Sequence, residues 1–181
     1  MVIDLSGIEK VVNKIYYPLL TNTSRYLVLY GGAGSGKSKF AGQKVLVQCL
    51  LAKHKILVVR KVANTLRNSC FSLLCGYIAE WGLQGYFKIN KSDMQILCLF
   101  NGSSILFKGM DDSEKIKSID GITSIWIEEA SELSLEDFTQ LDLRLRGITK
   151  VHKQIILTFN PVSAEHWLKK RFFENVEELN V

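Results

Sequence analysis

Apolar positions along this chain follow two rhythms. Tyr26-Leu27-Val28-Leu29-Tyr30, Ile56-Leu57-Val58-Val59, residues 123–127 and residues 154–159 are short, nearly unbroken apolar runs, the pattern of strands covered on both faces. Between them apolar residues recur at helical spacing. Phe40, Val45, Leu46, Cys49 and Leu50 predict a helix over about 37–53, and Leu66, Phe71, Leu74, Ile78 and Trp81 another over about 64–81. A further helix is expected near 6–20, and one after each of the last two strands. Residues 94–100 and 103–108 flank Asn101-Gly102, a dipeptide suited to a tight hairpin. No repeat, low-complexity tract or linker divides the pattern, so one α/β domain is expected over residues 1–181. Its mostly parallel sheet is flanked by helices and carries an inserted β-hairpin.

Composition narrows the class. With 181 residues and 47% apolar content, the chain can bury a full core without disulfide or metal staples. No apolar run approaches the roughly 18 residues of a membrane span, and Met1-Val2-Ile3-Asp4 lacks a signal-peptide pattern, so a soluble intracellular protein is expected. Cys49, Cys70, Cys75 and Cys98 form no C-x-x-C pair and read as buried free thiols; His54, His152 and His166 are equally scattered. The net charge of +5 suits a polyanionic partner and equally an ordinary solvated surface.

The chemistry concentrates in three places. Gly31-Gly32-Ala33-Gly34-Ser35-Gly36-Lys37-Ser38 follows one strand and opens a helix, the context in which a glycine-rich loop wraps backbone N–H groups around an anion at a helix N-terminus. Lys37 then reaches the β- and γ-phosphates of a nucleoside triphosphate, and the Ser38 hydroxyl is placed to ligate Mg²⁺. Ser124-Ile125-Trp126-Ile127-Glu128-Glu129 is an apolar strand ending in two carboxylates. Glu128 suits the metal and Glu129 the attacking water, provided the strand stops there so that both can face one site. Ile155-Ile156-Leu157-Thr158-Phe159-Asn160-Pro161 delivers Thr158 and Asn160 to the same edge, where they could sense a γ-phosphate or simply end the strand in an Asx-type turn.

These elements, with Val59-Arg60-Lys61, Asp120-Gly121-Ile122 and Leu143-Arg144-Leu145-Arg146 between them, resemble in their order the large terminase subunit of tailed bacteriophages and prophages, from about Tyr16 to about Phe173. The resemblance implies a P-loop NTPase of the additional-strand type. It also implies the ATPase domain of a motor that hydrolyses ATP with Mg²⁺ to drive double-stranded DNA into a preformed capsid. The motor would act in the cytoplasm of the bacterial host, with the portal protein and the small terminase subunit as partners. A ring of identical chains is implied on assembly, and a monomer in isolation. Carried over, Gly31 to Ser38, Ala33 and Ser35 included, become the Walker A loop. Glu128 and Glu129 become the metal and catalytic pair of Walker B, and Thr158 to Asn160 the coupling motif. Upstream aromatic and basic residues hold adenine in the family, which makes Tyr16, Tyr17 and Arg25 the candidates.

Two departures matter. Many relatives carry Arg where this chain has Ala33, so the charge for hydrolysis must come from elsewhere. Arg144 and Arg146, at the end of a helix starting near Ser134, are candidates to reach a neighbouring subunit's nucleotide. Family members also continue into a nuclease domain. Here the adjacent Asp111 and Asp112 suit a loop or helix cap, so an ATPase domain without DNA cleavage is expected. Arg60, Lys61, Arg67, Lys115 and Lys117 are candidates for DNA phosphate, or ordinary exposed charges. A P-loop kinase and a nucleotide-gated DNA- or protein-binding module with little turnover remain as alternatives.

Overall fold

The computed structural model describes residues 7–174. They form a seven-stranded sheet in the order β1-β7-β6-β2-β5-β4-β3. The strands are β1 (Tyr26–Tyr30), β2 (Lys55–Arg60), β3 (Phe87–Asn90), β4 (Gln95–Cys98), β5 (Ser104–Gly109), β6 (Ser124–Glu128) and β7 (Gln154–Phe159). From β1 across to β5 every pairing is parallel, whereas β4 and β3 continue antiparallel. Strands β6 and β7 are buried at every position and β2 at all but its ends, while β1 and β5 alternate. Three of the four apolar runs are therefore strands sandwiched between two layers, whereas the run at 26–30 forms the edge strand β1 and is buried at alternate positions. On one face pack α1 (Lys37–Leu51) and α2 (Ser72–Glu80), with Phe40, Leu46, Leu74 and Ile78 against Ile56, Val58 and Trp126. On the other, α4 (Leu135–Arg144) and α5 (Trp167–Lys169) bring Phe138, Leu141 and Leu168 against Leu57, Ile125 and Leu157; the short α3 (Ser113–Lys117) lies between β5 and β6 in the chain.

One expectation is extended and two are corrected. The Asn101-Gly102 hairpin joins β4 to β5, but β5 also pairs in parallel with β2, and the unforeseen β3 extends the edge into a three-stranded meander. Only four residues long, β3 leads into a turn in which the Asn90 side chain accepts the N–H groups of Ser92 and Asp93, both at 3.1 Å. The 64–81 helix begins as a 3₁₀ turn at Ala63–Thr65 and a π-helical stretch at Arg67–Phe71 and becomes α-helical at Ser72, with Ser69 Oγ donating to the Thr65 carbonyl at 2.6 Å and competing with the regular ladder. The described part of the 6–20 segment is 3₁₀ rather than α, with Pro18 inside it. Among the described residues no helix is long and apolar enough to cross a membrane.

At the opposite end from the strand C-termini, His54 is 2% exposed and its Nδ1 sits 2.9 Å from Thr123 Oγ1. Burial, and then the charge of His152, push its pKa down to about 4. A depressed histidine stabilises the fold above its unfolded pKa and loses that contribution as pH falls toward the folded value. Urea titration at pH 7 and about pH 4.5 is expected to show His54→Gln losing about 2 kcal/mol less stability on acidification than wild type. Equal losses in the two proteins would remove His54 from the acid response.

Candidate active site

Because β1, β7, β6 and β2 run in parallel, their C-terminal ends emerge together. Register pairs Tyr30 with Phe159, Glu128 with Thr158 and Val59 with Ile127, so the loop after β1, the end of β6, Asn160 and Arg60 share one rim. There Ala33, Gly34, Gly36, Lys37, Ser38, Glu128, Glu129, Thr158 and Asn160 line a cleft of ≈ 340 Å³. Gly34 at φ 77° and Gly36 at φ 90° supply the left-handed turns that curl the loop. Gly36 caps α1, leaving that helix's first N–H groups directed at the cleft.

Lys37 is 8% exposed and folds back onto the loop: Nζ donates to Gly31 O and Gly32 O, both at 2.7 Å, to Ser35 Oγ at 3.1 Å and to Asn160 Oδ1 at 3.2 Å. These oxygens hold the ammonium where an anion in the loop would meet it. Ser38 Oγ donates to Glu128 Oε1 at 2.6 Å. The other Glu128 oxygen accepts from Thr158 Oγ1, which in turn accepts from Trp126 Nε1 at 3.2 Å. A hydroxyl and a carboxylate so close are a fitting pair of hard oxygen ligands for Mg²⁺. Among the described residues no group of three or more His, Cys, Asp or Glu could hold a metal, so such an ion would draw its remaining ligands from phosphate and water. Cys70, whose thiol is pushed up to about 12 by burial and then by the charge of Glu128, is an inert neighbour.

The condition on the two glutamates is met. Strand β6 ends at Glu128, and Glu129 adopts φ 54°, ψ 51°, a left-handed conformation costly for a non-glycine residue. Both glutamates line the one cleft, and Glu129 meets Arg60, whose guanidinium donates to Glu129 Oε2. Arg60 is largely buried, its side chain 12% exposed against 45% for Glu129. Glu132 completes the group, its carboxyl raised by burial and then by its hydrogen bond to, and the charge of, Glu129. Arg60, a candidate for DNA in the sequence, is thus paired with a residue of the cleft. Lys61 is likewise paired, to Asp137 at 2.8 Å, Arg67 donates to the Lys91 carbonyl, and Lys117 pairs with Glu114. Asp111 accepts from the Ala63 N–H as a loop cap; the side chain of Asp112 lies outside the described residues.

The adenine candidates separate. Tyr16 reaches the loop, its hydroxyl donating to Ser35 O at 2.9 Å and its ring stacked on Phe40 at 4.8 Å. Tyr17 is 43% exposed. Arg25 stands just before β1, about 17 Å of strand from the loop, and pairs there with Asp142 at 2.8 Å. Arg25 is therefore corrected to a strut between β1 and α4. Arg144 and Arg146 also lie at that far end, beside Lys117 and Asp120.

Residues 23–180 match the family described as phage terminase large subunit. The chain belongs to that family. It is 41% identical over 150 residues to the PBSX phage terminase large subunit of Bacillus subtilis (strain 168), a match covering 83% of this chain and 34% of that one, so the chain spans about a third of the relative's length. The large terminase from a thermophilic bacteriophage, in complex with ADP, superimposes with a TM-score of 0.68 at 16% identity, over 87% of this chain and 39% of that one. A mutant of the Thermus phage P74-26 large terminase ATPase domain does so at 0.64 and 10% identity, over 94% and 89%. The fold is thus that of terminase ATPase domains, a P-loop NTPase of the additional-strand type in which β7 is the strand inserted between β1 and β6.

Proposed function

We propose that this chain is the ATP-hydrolysing unit of a phage DNA-packaging motor. The observation that carries the reading is the cleft in which Ala33, Gly34, Gly36 and Lys37 of the phosphate loop, the Glu128–Ser38 pair, Glu129 and the Thr158–Asn160 edge meet. The family and the terminase relatives support the same reading. ATP would seat its phosphates in the loop, where Lys37 exchanges its carbonyl partners for β- and γ-phosphate oxygens. Ser38 and Glu128 would hold Mg²⁺, which when bound would neutralise phosphate charge. Glu129 takes the proton of the attacking water once its carboxylate leaves Arg60, so the resting ion pair keeps an otherwise competent base occupied. Asn160, which accepts a hydrogen bond from Lys37, would register phosphate loss and pass it along β7. Double-stranded DNA is the track and the portal protein and small terminase subunit are the partners, in a ring of identical chains in the host cytoplasm.

Purified chain incubated with ATP and Mg²⁺ is expected to release free phosphate, faster with linear duplex DNA and not at all with EDTA, and to leave that DNA uncut with Mg²⁺ or Mn²⁺. Transfer of phosphate to a small-molecule acceptor would replace the motor with a kinase. ATP binding without turnover, alone or with DNA, would leave a nucleotide-gated binding module.

A further inference from the structure

Besides Lys37, helix α1 buries three polar side chains, Gln43, Lys44 and Gln48, at 6%, 1% and 5% exposure. All three serve the segment that precedes β1. Gln43 Nε2 donates to Val11 O at 2.8 Å. Lys44 Nζ donates to Leu19 O at 2.7 Å, Asn22 O at 2.9 Å and Leu20 O at 3.0 Å, so every proton of the ammonium is committed to that segment's C-terminal end. Gln48 Nε2 donates to Gln154 Oε1, and Gln154 Nε2 donates to Ser24 O at 2.7 Å. Burial brings the Lys44 amine down to about 8, and it faces His152, itself lowered by burial and by the charge of Lys44. At neutral pH the group is therefore a desolvated cation whose burial is offset by three charge-assisted hydrogen bonds.

The same strap, residues 14–22, carries Tyr16. Its ring lies on Phe40 and its hydroxyl holds the Ser35 carbonyl, and a Cβ at Gly36 would stand 3.5 Å from its ring. Tyr16 thus braces the outer side of the phosphate loop at two successive residues. We propose that Lys44 is a positioning residue for the nucleotide phosphates: by clamping the strap to α1 it seats Tyr16, which holds the Ser35–Gly36 backbone in its anion-ready curl. The inference rests on the nucleotide-binding reading above, and it assigns Tyr16 to the loop backbone instead of the adenine.

Two probes separate these roles, MgATP and inorganic tripolyphosphate, which has no base. Lys44→Gln and Tyr16→Ala are each expected to weaken both probes by up to about tenfold, the scale of one lost hydrogen bond and its ordering effect, with kcat changed less than about twofold. The double variant is expected to be no weaker than the weaker single one, because both act through one contact. Additive losses, or a loss confined to MgATP, would overturn the inference. Where Lys44→Gln fails to fold, hydrogen exchange in the wild-type chain decides. Amides of 14–22 and of 34–37 are expected to open together and to be slowed together by tripolyphosphate, and independent opening refutes the clamp. A wild-type chain that binds neither probe would instead refute the nucleotide reading, leaving the coupled opening of strap and loop to be judged by exchange alone.

Discussion

Glu129→Gln is expected to leave ATP affinity nearly unchanged and to cut turnover by about a thousandfold, the usual worth of a positioned general base. Glutamine keeps the size and the left-handed backbone but cannot take a proton, and the Glu129 carboxylate is engaged by Arg60 rather than by the phosphate loop in the resting structure. The companion change separates binding from chemistry. Lys37→Ala removes the one ammonium inside the loop, together with its bonds to Gly31 O, Gly32 O, Ser35 Oγ and Asn160 Oδ1. It is expected to weaken MgATP by at least about a hundredfold, since a charge-assisted hydrogen bond to phosphate is worth about 1.5–3 kcal/mol. Equilibrium binding of a fluorescent ATP analogue and phosphate release in single turnover distinguish the two effects. Near wild-type turnover in Glu129→Gln would move the base to another group, and unimpaired binding in Lys37→Ala would remove the phosphates from the loop.

The parts of this site that can be read from the chain are those whose chemistry is local. The loop from Gly31 to Ser38 needs only its own backbone angles and the helix it opens, and α4 begins where Ser134 and Asp137 form a reciprocal capping box. What the sequence conceals depends on neighbours distant along the chain. Arg60 meets Glu129 because β2 and β6 are adjacent and in register at Val59 and Ile127. An arginine ending one strand and a glutamate just past another can be paired only once the strand order is known. Lys44 resembles any solvated lysine on a helix, and only the strap lying across α1 makes it a buried cation. Arg25 misleads in the opposite direction: proximity in sequence to the loop hides the full length of β1 between them. The meander strand β3 is too short, and too polar at Lys88 and Asn90, to announce itself beside the stronger Asn101-Gly102 signal.

Arg146→Ala is expected to leave ATP affinity within about twofold of wild type and to reduce the turnover of assembled motors by about a thousandfold, the lower range for an arginine finger. Ala33 leaves no arginine inside the phosphate loop, so the transition-state charge has to be met from elsewhere. Within one chain Arg146 cannot meet it. The next residue, Gly147, donates its N–H to Ile122 O at 2.7 Å, just before the start of β6. Glu128, at the other end of that strand, is therefore about 20 Å away. Arg146 is exposed, and with Arg144, Lys117 and Asp120 it lines a cleft of ≈ 310 Å³ on that pole, whereas the Arg144 guanidinium already donates to Lys117 O at 2.8 Å. Such a surface is expected to serve hydrolysis by facing another subunit's site, so turnover is expected to rise on assembly and an isolated monomer to be a weak ATPase. Mixing Glu129→Gln chains with Arg146→Ala chains tests the geometry. A mixed ring contains interfaces at which an intact Glu129 from one chain meets an intact Arg146 from the other, so activity is expected to return in the mixture although each variant alone is inactive. Persistent inactivity of the mixture would refute a role between subunits, and full activity of Arg146→Ala alone would return it to the role of a charge favoured by the C-terminal end of α4.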